Sequence, residues 1–340
     1  MDDSIKTYKC PNCGAALTFD SKTQKLHCSH CDTSIDVEAM KALSDTPSGT
    51  DQDNARWNTS DAGSNWSSGE QQGMRSYHCP TCGAELVTDE TTAASTCAYC
   101  GSPVVLSDHL SGAKRPNYVI PFKVDKKTAK ETLKNFYKGK IFLPRAFSAE
   151  NHLEEISGIY VPFWLYSCES KGSFSFDATR THHYTDGDYD VTETEHYLVL
   201  RDGEARFNNI PVDGSSKMDD AYMDAIEPFD YSAITDFHTD YLPGYAAQTY
   251  DEDATACAPR ATARVKNTTV AAIRRTCDYT TLTPRTSKIS TTQNSVDYAL
   301  LPVWMLTTNW HGKSYHFAIN GQTGKLIGDL PIDKGRFFGL

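Results

Sequence analysis

The chain has 340 residues, 39% of them hydrophobic, and a formal net charge of −11. This length predicts two or more domains, and the low hydrophobic content predicts that part of the chain is unfolded. The negative charge argues against general attraction to nucleic acid or anionic lipid, because both require a cationic surface. The sequence has no apolar run long enough to span a bilayer, and its start lacks the layout of a secretory signal. Eleven cysteines in such a chain are typical of metal binding in a reducing compartment.

The first cysteine motif, CPNCGAALTFDSKTQKLHCSHC at residues 10–31, holds two C-x-x-C pairs with 14 residues between them. Such pairs place four thiolates around one ion from two tight turns. The predicted ligands of this first zinc ribbon, over residues 1–43, are Cys10, Cys13, Cys28 and Cys31. Gly14 follows the second ligand, where the turn often requires a positive φ that glycine tolerates.

Residues 44–76 form the next segment, which is rich in Ser, Gly, Asp and Asn and nearly free of aliphatic residues. This composition predicts a disordered, flexible linker. Trp57 and Trp66 are its large apolar side chains. They are either solvated or short docking anchors that become ordered on a partner.

The cysteine motif then repeats as CPTCGAELVTDETTAASTCAYC at residues 79–100, with every cysteine at an offset of 69 residues. The duplication predicts a second zinc ribbon over residues 77–107. Its predicted ligands are Cys79, Cys82, Cys97 and Cys100. Four thiolates leave no open coordination position, so we expect two structural Zn²⁺ sites and no catalytic metal. Rubredoxin-like binding of iron is the nearest alternative.

Local charge distinguishes the partners that the ribbons could bind. Residues 77–107 contain Glu85, Asp89 and Glu90 but no Lys or Arg. Because a nucleic-acid reader needs cations to neutralise phosphates, this ribbon favours protein partners. Nucleic-acid binding in replication or transcription remains the alternative, and it would depend on Lys9, Lys22 and Lys25 of the first ribbon.

Residues 115–335 contain the hydrophobic stretches that can form a larger α+β body of antiparallel sheets with helices. Residues 117–124 predict a strand, followed by a helix that Asp125 caps and Gly139 ends. Residues 157–170 and 171–180 predict an antiparallel pair joined near Gly172. A further helix is expected over residues 251–275, with Pro259 breaking, kinking or restarting it.

Two phrases in this body resemble each other: YVPFWLYSCESKGSFSF at 160–176 and LLPVWMLTTNWHGKSYHF at 300–317. We interpret them as a second duplication that yields two related α+β modules, residues 115–215 and 216–335. The alternative is that strand-turn-strand hairpins look alike without being related.

The sequence contains none of the catalytic motifs G-x-S-x-G, H-E-x-x-H or G-x-G-x-x-G. Cys168, Cys257 and Cys277 are isolated. The adjacent His182 and His183 are poorly placed to chelate one ion, because neighbouring strand residues face opposite ways. The chain is therefore predicted not to be an enzyme.

With these features in view, the chain resembles bacterial transcription-factor-IIB-type (TFIIB-type) zinc-ribbon proteins, some of which are labelled primosomal-helicase-like. The resemblance covers nearly the whole chain. Beyond the C-P-x-C-G ribbons it includes NFYKGKIFLP at 135–144, ISGIYVPFWLY at 156–166 and FAINGQTGKLIGDLP at 317–331.

The resemblance implies a cytoplasmic scaffold that is held at the inner face of the cell membrane and whose ribbons recruit partners. Members of this family often continue after the GDLP phrase into a hydrophobic membrane anchor, which this chain does not contain. Some are associated with stomatin/flotillin-like or phage-shock-like membrane proteins, which are therefore the implied partners. The expected function is a non-enzymatic zinc-binding adaptor, with a role in the membrane-stress response.

Overall fold

The computed structural model describes residues 8, 10, 16–29, 34–37, 40, 56–107, 112–144, 147 and 155–332. Over these residues the protein is an α+β structure with most strands in mixed sheets and few helices. Among the described helices, none combines the length and apolarity that crossing a bilayer requires.

The strands and helices are numbered in chain order. The strands are β1 (Thr18–Asp20), β2 (Lys25–His27), β3 (Ser34–Asp36), β4 (Met74–His78), β5 (Glu85–Asp89), β6 (Val105–Ser107), β7 (Tyr118–Val119), β8 (Ser157–Asp186), β9 (Tyr189–Asp213), β10 (Thr235–Asp236), β11 (Ala246–Gln248), β12 (Thr281–Trp310), β13 (Lys313–Asn320) and β14 (Leu326–Gly328). The helices are α1 (Ser68–Gln72), α2 (Lys126–Tyr137), α3 (Asp220–Ala225) and α4 (Ala254–Arg275).

The chain divides into two compact units that do not follow the predicted modules 115–215 and 216–335. The first unit comprises Met1–Asp53, Gly172–Gly203 and Val270–Ile289, and the second comprises Asn54–Lys171, Glu204–Thr269 and Ser290–Leu340. The boundaries differ because β8, β9, α4 and β12 are long enough to contribute residues to both units.

In the first unit, β1, β2 and β3 form an antiparallel sheet around a small apolar cluster. A second cluster joins β8, β9 and β12 to the end of α4, through Phe176, Val199, Ile289 and Ile273. Gly172 was predicted to lie at a turn, but β8 runs through it without a break. A Cβ at Gly172 would lie 2.5 Å from Cζ of Phe174, so the absence of a side chain there serves packing.

In the second unit, the strand order is β10-β7-β12-β8-β11-β5-β4-β6. In addition, β13 pairs with β12, β14 pairs with β13, and β9 pairs with β8. Two of the pairings are parallel. Ala246 and Ala247 of β11 pair with β8, and Tyr118 and Val119 of β7 pair with β12. The strands β4, β5 and β6 of the second cysteine motif belong to this sheet, because β5 pairs with β11.

The two similar phrases occupy equivalent positions in this unit. The indole of Trp164 in β8 donates to the Glu252 carbonyl at 2.9 Å, and that of Trp304 in β12 donates to the Val124 carbonyl at 2.8 Å. Each accepting carbonyl lies two residues before a helix, α4 or α2. The same hydrogen bond therefore anchors the start of one helix beside each phrase.

A second hydrogen bond, from a glycine amide to a proline carbonyl, also occurs once at each phrase. The amide of Gly214 donates to the Pro162 carbonyl at 2.9 Å, and that of Gly321 donates to the Pro302 carbonyl at 2.8 Å. The helix beside each phrase comes from the other predicted module. The predicted modules are therefore interleaved, because β7 and α2 pack with β12 while β11 and α4 pack with β8.

Residues 56–76 differ from the predicted flexible linker, whereas residues 44–55 lie outside the described residues. The Trp57 indole donates to Thr262 Oγ1 at 3.0 Å, and the Trp66 indole donates to the Ala113 carbonyl at 2.9 Å. Both rings pack against a buried apolar cluster. The partial burial of two indoles offsets a part of the ordering cost of this otherwise polar segment.

Two helix predictions can be compared with the structure. Asp125 caps α2 by accepting from the Thr128 amide at 2.8 Å, and Gly139 has a φ of +75° beyond its end, as predicted. The helix predicted over residues 251–275 is also present, as α4. It continues through Pro259, whereas the sequence predicted a break, kink or restart there. A proline in the second turn removes only one intrahelical hydrogen bond, and here it does not interrupt the helix.

Candidate metal centre

The second cysteine motif folds into two matching turns. The amide of Gly83 donates to the Cys79 carbonyl at 2.9 Å, and the amide of Gly101 donates to the Cys97 carbonyl, also at 2.9 Å. The two glycines have φ values of +73° and +72°, respectively. Glycine adopts this left-handed conformation without a Cβ clash, which lets each turn direct two sulfurs to the same point.

The four sulfurs converge into one group. Cys79 Sγ lies 3.5 Å from Cys100 Sγ, and Cys82 Sγ lies 3.6 Å from Cys97 Sγ. All four lie within 4.8 Å of one another, and none forms a disulfide. Tetrahedral Zn²⁺ with Zn–S bonds of about 2.3 Å requires sulfur separations of about 3.8 Å. The four residues present therefore fit a closed tetrathiolate site.

The thiols of this group lie in different environments. Burial raises the pKa of Cys79, but hydrogen bonds from the Cys82 and Thr81 backbone amides outweigh it and lower the pKa to about 7. Burial raises the pKa of Cys97 well above its ordinary value. Lys217 lies close to the first turn of the motif, since its Nζ would be 3.9 Å from a Cβ placed on Gly83. The same Nζ forms an ion pair with Asp251 Oδ2 at 2.8 Å. This ammonium group partly offsets the negative charge that four metal-bound thiolates would carry.

The second turn of the motif is attached directly to the sheet. Thr307 Oγ1 in β12 donates to the Tyr99 carbonyl at 2.8 Å. The Tyr99 hydroxyl donates to the Gln248 side chain in β11, whose amide donates to Ser215 Oγ at 2.7 Å. Tyr99 lies between Cys97 and Cys100 of this group in the sequence. A metal bound by this group would therefore also hold in place the parts of the sheet, in β11 and β12, to which these hydrogen bonds attach the turn.

A Bacillus subtilis (strain 168) protein, named Uncharacterized protein YdjG, is 36% identical to the chain over 333 residues. The alignment covers 98% of this chain and 92% of YdjG. The chain belongs to the YdjG family. No family model and no solved structure matches the chain. The name of this relative states no function.

Two of the four cysteines of the first motif lie among the described residues. Cys10 and Cys28 are buried in the small cluster of the first unit, at 2% and 0% exposure. Cys13 and Cys31, the other two predicted ligands, lie outside the described residues, as does Gly14. The two described cysteines share one cluster, and the site that the motif predicts stays a prediction.

The remaining cysteines are separate from one another. Burial raises the pKa of Cys168 to about 11 and that of Cys257 to about 12. Cys257 Sγ lies 3.5 Å from the Asp213 carbonyl, and Cys277 packs at the end of α4. Within the part of the chain that the structure describes, the tetracysteine group is the one cluster of His, Cys, Asp or Glu that could hold a metal.

Sequence reasoning located the tetracysteine group but missed its supporting residues. Thr307, Gln248 and Ser215 carry no metal-binding signal, and they lie 100 or more residues from the motif in the sequence. Lys217 was missed for the same reason. The repeated cysteine spacing predicts the ligands, whereas the surrounding contacts depend on long-range pairing.

Proposed function

We propose that the chain is a non-enzymatic zinc-binding adaptor that recruits protein partners. The observation that carries this proposal is the closed group of four thiols, with every sulfur within 4.8 Å of the others. When bound, Zn²⁺ would be held by Cys79, Cys82, Cys97 and Cys100 and would supply folding free energy. It would offer no open position for water or substrate. The metal then maintains a surface and takes no part in a reaction.

A second zinc ribbon at Cys10, Cys13, Cys28 and Cys31 is part of the proposal. The burial of Cys10 and Cys28 beside the three-stranded sheet supports it. So does the equal spacing of the two motifs. The TFIIB-type resemblance adds stomatin/flotillin-like or phage-shock-like membrane proteins as partners, at the cytoplasmic face of the membrane.

The edge strand β6 supports recruitment of a protein. β6 ends the strand order of the sheet, and Val105 and Leu106 are 59% and 58% exposed. A strand at the edge of a sheet can pair with a strand of a partner protein, and charged residues usually protect such an edge. β6 itself carries no charged residue.

Nucleic-acid binding receives less support. Lys25 of the first motif lies 3.3 Å from Asp36, and this ion pair reduces the positive charge available to a phosphate. The described residues of 77–107 include no lysine or arginine. A nucleic-acid role would require affinity that falls steeply with salt and that depends on Lys22 and Lys25.

Affinity purification of the full chain from native cells tests the proposal. We expect defined protein partners with the wild type, fewer with V105D/L106D, and an unchanged set with I141D, since Ile141 is 65% exposed elsewhere. Thermal unfolding would verify that the variants fold. Recovery of nucleic acid without a protein partner, or an equal loss with I141D, would contradict the adaptor role.

A further inference from the structure

The far end of the β8–β9 pair forms an exposed hairpin, residues 181–196, called here the distal hairpin. β12 begins at Thr281, whose hydroxyl lies 2.6 Å from that of Thr179. Beyond this point the pair continues as two strands to a turn at Gly187, which has a φ of +60°. Most residues of the distal hairpin are exposed on both faces.

Cross-strand contacts define which residues share a face. Thr181 contacts Thr194 at 3.5 Å, and His183 Nδ1 contacts Thr192 Oγ1 at 2.9 Å. Because side chains alternate along a strand, the intervening residues lie on the opposite face. That opposite face carries Tyr184 in β8, and Tyr189 and Val191 in β9.

This tyrosine face continues the apolar face that packs inside the first unit. Tyr197 and Val199 lie on the same side of β9, where Val199 belongs to a buried cluster and the partly buried Tyr197 packs against it. Further out, Tyr184 is 51% exposed and Tyr189 is 77% exposed. Two large aromatic rings on one exposed face provide anchors of the kind that dominate protein interfaces.

The distal hairpin itself carries an excess of negative charge. The distal hairpin contains five exposed acidic residues and no Lys or Arg between residues 181 and 200. The acids are Asp186, Asp188, Asp190, Glu193 and Glu195. Nucleic acid and anionic lipid would be repelled, whereas a cationic surface would be attracted.

The same face shows how a guanidinium group is accommodated. The Arg180 guanidinium carbon lies 5.8 Å from the Tyr197 ring centroid and 5.3 Å from that of Tyr279. Tyrosine rings attract arginine through cation–π interaction. Tyr184 and Tyr189, further out, present rings of the same type to the exterior.

We propose that the distal hairpin is a docking surface for an arginine-rich protein segment, which its tyrosines stack against and its carboxylates attract. The surface lies in the first unit, and the tetracysteine group lies in the second. This docking proposal goes beyond the proposed adaptor role, and its test uses the purified full chain and a synthetic peptide. Failure of the adaptor role would therefore leave this test unaffected.

The test measures binding of a fluorescent nona-arginine peptide to the purified, zinc-loaded full chain by anisotropy, at low and moderate salt. Two stacking contacts predict that Y184S/Y189S weakens binding about 5- to 30-fold. We expect D186N/D190N to weaken binding and to reduce its salt dependence. A nona-lysine peptide of equal charge should bind several-fold more weakly, because ammonium groups stack poorly.

Matched control variants distinguish binding at the distal hairpin from attraction by the overall negative charge of the chain. E90Q/E131Q removes two exposed acids outside the distal hairpin, and I141S removes an exposed apolar side chain elsewhere. Both should bind nona-arginine like the wild type. The proposal is overturned if the peptide does not bind, or if Y184S/Y189S binds it normally. It is also overturned if E90Q/E131Q loses as much affinity as D186N/D190N, or if duplex DNA or phosphatidylserine vesicles bind the hairpin instead.

Discussion

At the scale of single residues, two glycines and two tryptophans carry equivalent roles beside the two similar phrases. A Cβ on Gly214 would lie 2.8 Å from the Trp164 indole nitrogen, and one on Gly321 would lie 2.7 Å from the Phe122 ring. The lack of a side chain at Gly214 leaves room for the Trp164 indole beside the Glu252 carbonyl, and that at Gly321 leaves room for the Phe122 ring, which packs against Trp304. Gly214 lies in none of the phrases singled out in the sequence, and Gly321 lies in the phrase FAINGQTGKLIGDLP, which gives no sign of a packing role. The sequence alone therefore did not indicate these roles.

Alanine at either glycine should therefore destabilise the fold. We expect Gly214→Ala and Gly321→Ala each to lower the free energy of unfolding by about 1–3 kcal/mol, because the neighbouring side chains must shift. Gly69→Ala is the control, since a Cβ there would meet nothing within 4 Å. Urea denaturation measures the three variants, and equal stability of all three would contradict the packing argument.

The buried carboxylate of Asp213 leads to a prediction about pH. Burial raises the pKa of Asp213 to about 6, against the opposing effect of Arg260, whose guanidinium lies 2.8 Å from Oδ1. Asp213 Oδ2 has no hydrogen-bond partner among the described residues. The folded state therefore holds the proton more tightly than the unfolded state, and this contribution to stability is lost as pH rises through about 6.

Lowering the pH from 7 to 5 should then stabilise the wild type relative to Asp213→Asn by about 1 kcal/mol. Carboxylates common to both proteins cancel in this difference. Urea denaturation of both proteins at the two pH values provides the measurement. A difference that stays constant, or that decreases at pH 5, would contradict the raised pKa.

At the scale of elements, local signals predicted the helices better than the strands. The Asp125 cap and Gly139 lie in a short stretch of sequence, and α2 begins and ends accordingly. The continuous course of β8 through Gly172 was missed, because glycine usually indicates a turn. The parallel pairing of β7 with β12 joins residues about 180 positions apart, which no local pattern shows.

The segment 56–76 yields an element-scale prediction, because two indoles attach it. We expect W57A/W66A to lower the free energy of unfolding by about 1–3 kcal/mol per site and to expose the segment to protease. Limited proteolysis with mass spectrometry would show cleavage between residues 56 and 73. Trp310→Ala is the control and should leave this segment protected. Unchanged protection in W57A/W66A would show that other contacts hold the segment.

At the scale of the whole molecule, the tetracysteine group connects sequence, fold and proposed function. Its four cysteines could be predicted to lie together because cysteine spacing is a local signal that repeats at a fixed offset. Its attachment through Thr307 and Gln248 could not, because those residues reach it only through sheet pairing. The second motif is thus integrated into the sheet, whereas the sequence predicted a separate ribbon at the end of a linker.

The most direct test is the zinc content and sulfur coordination of the purified full chain and of C79S/C82S/C97S/C100S. The account predicts two tightly bound zinc ions per wild-type chain and one in the variant. X-ray absorption should show four sulfur neighbours at about 2.3 Å around each wild-type zinc. An oxygen or nitrogen ligand in the wild type, or a variant that retains the full zinc content, would contradict a closed tetrathiolate site at these cysteines.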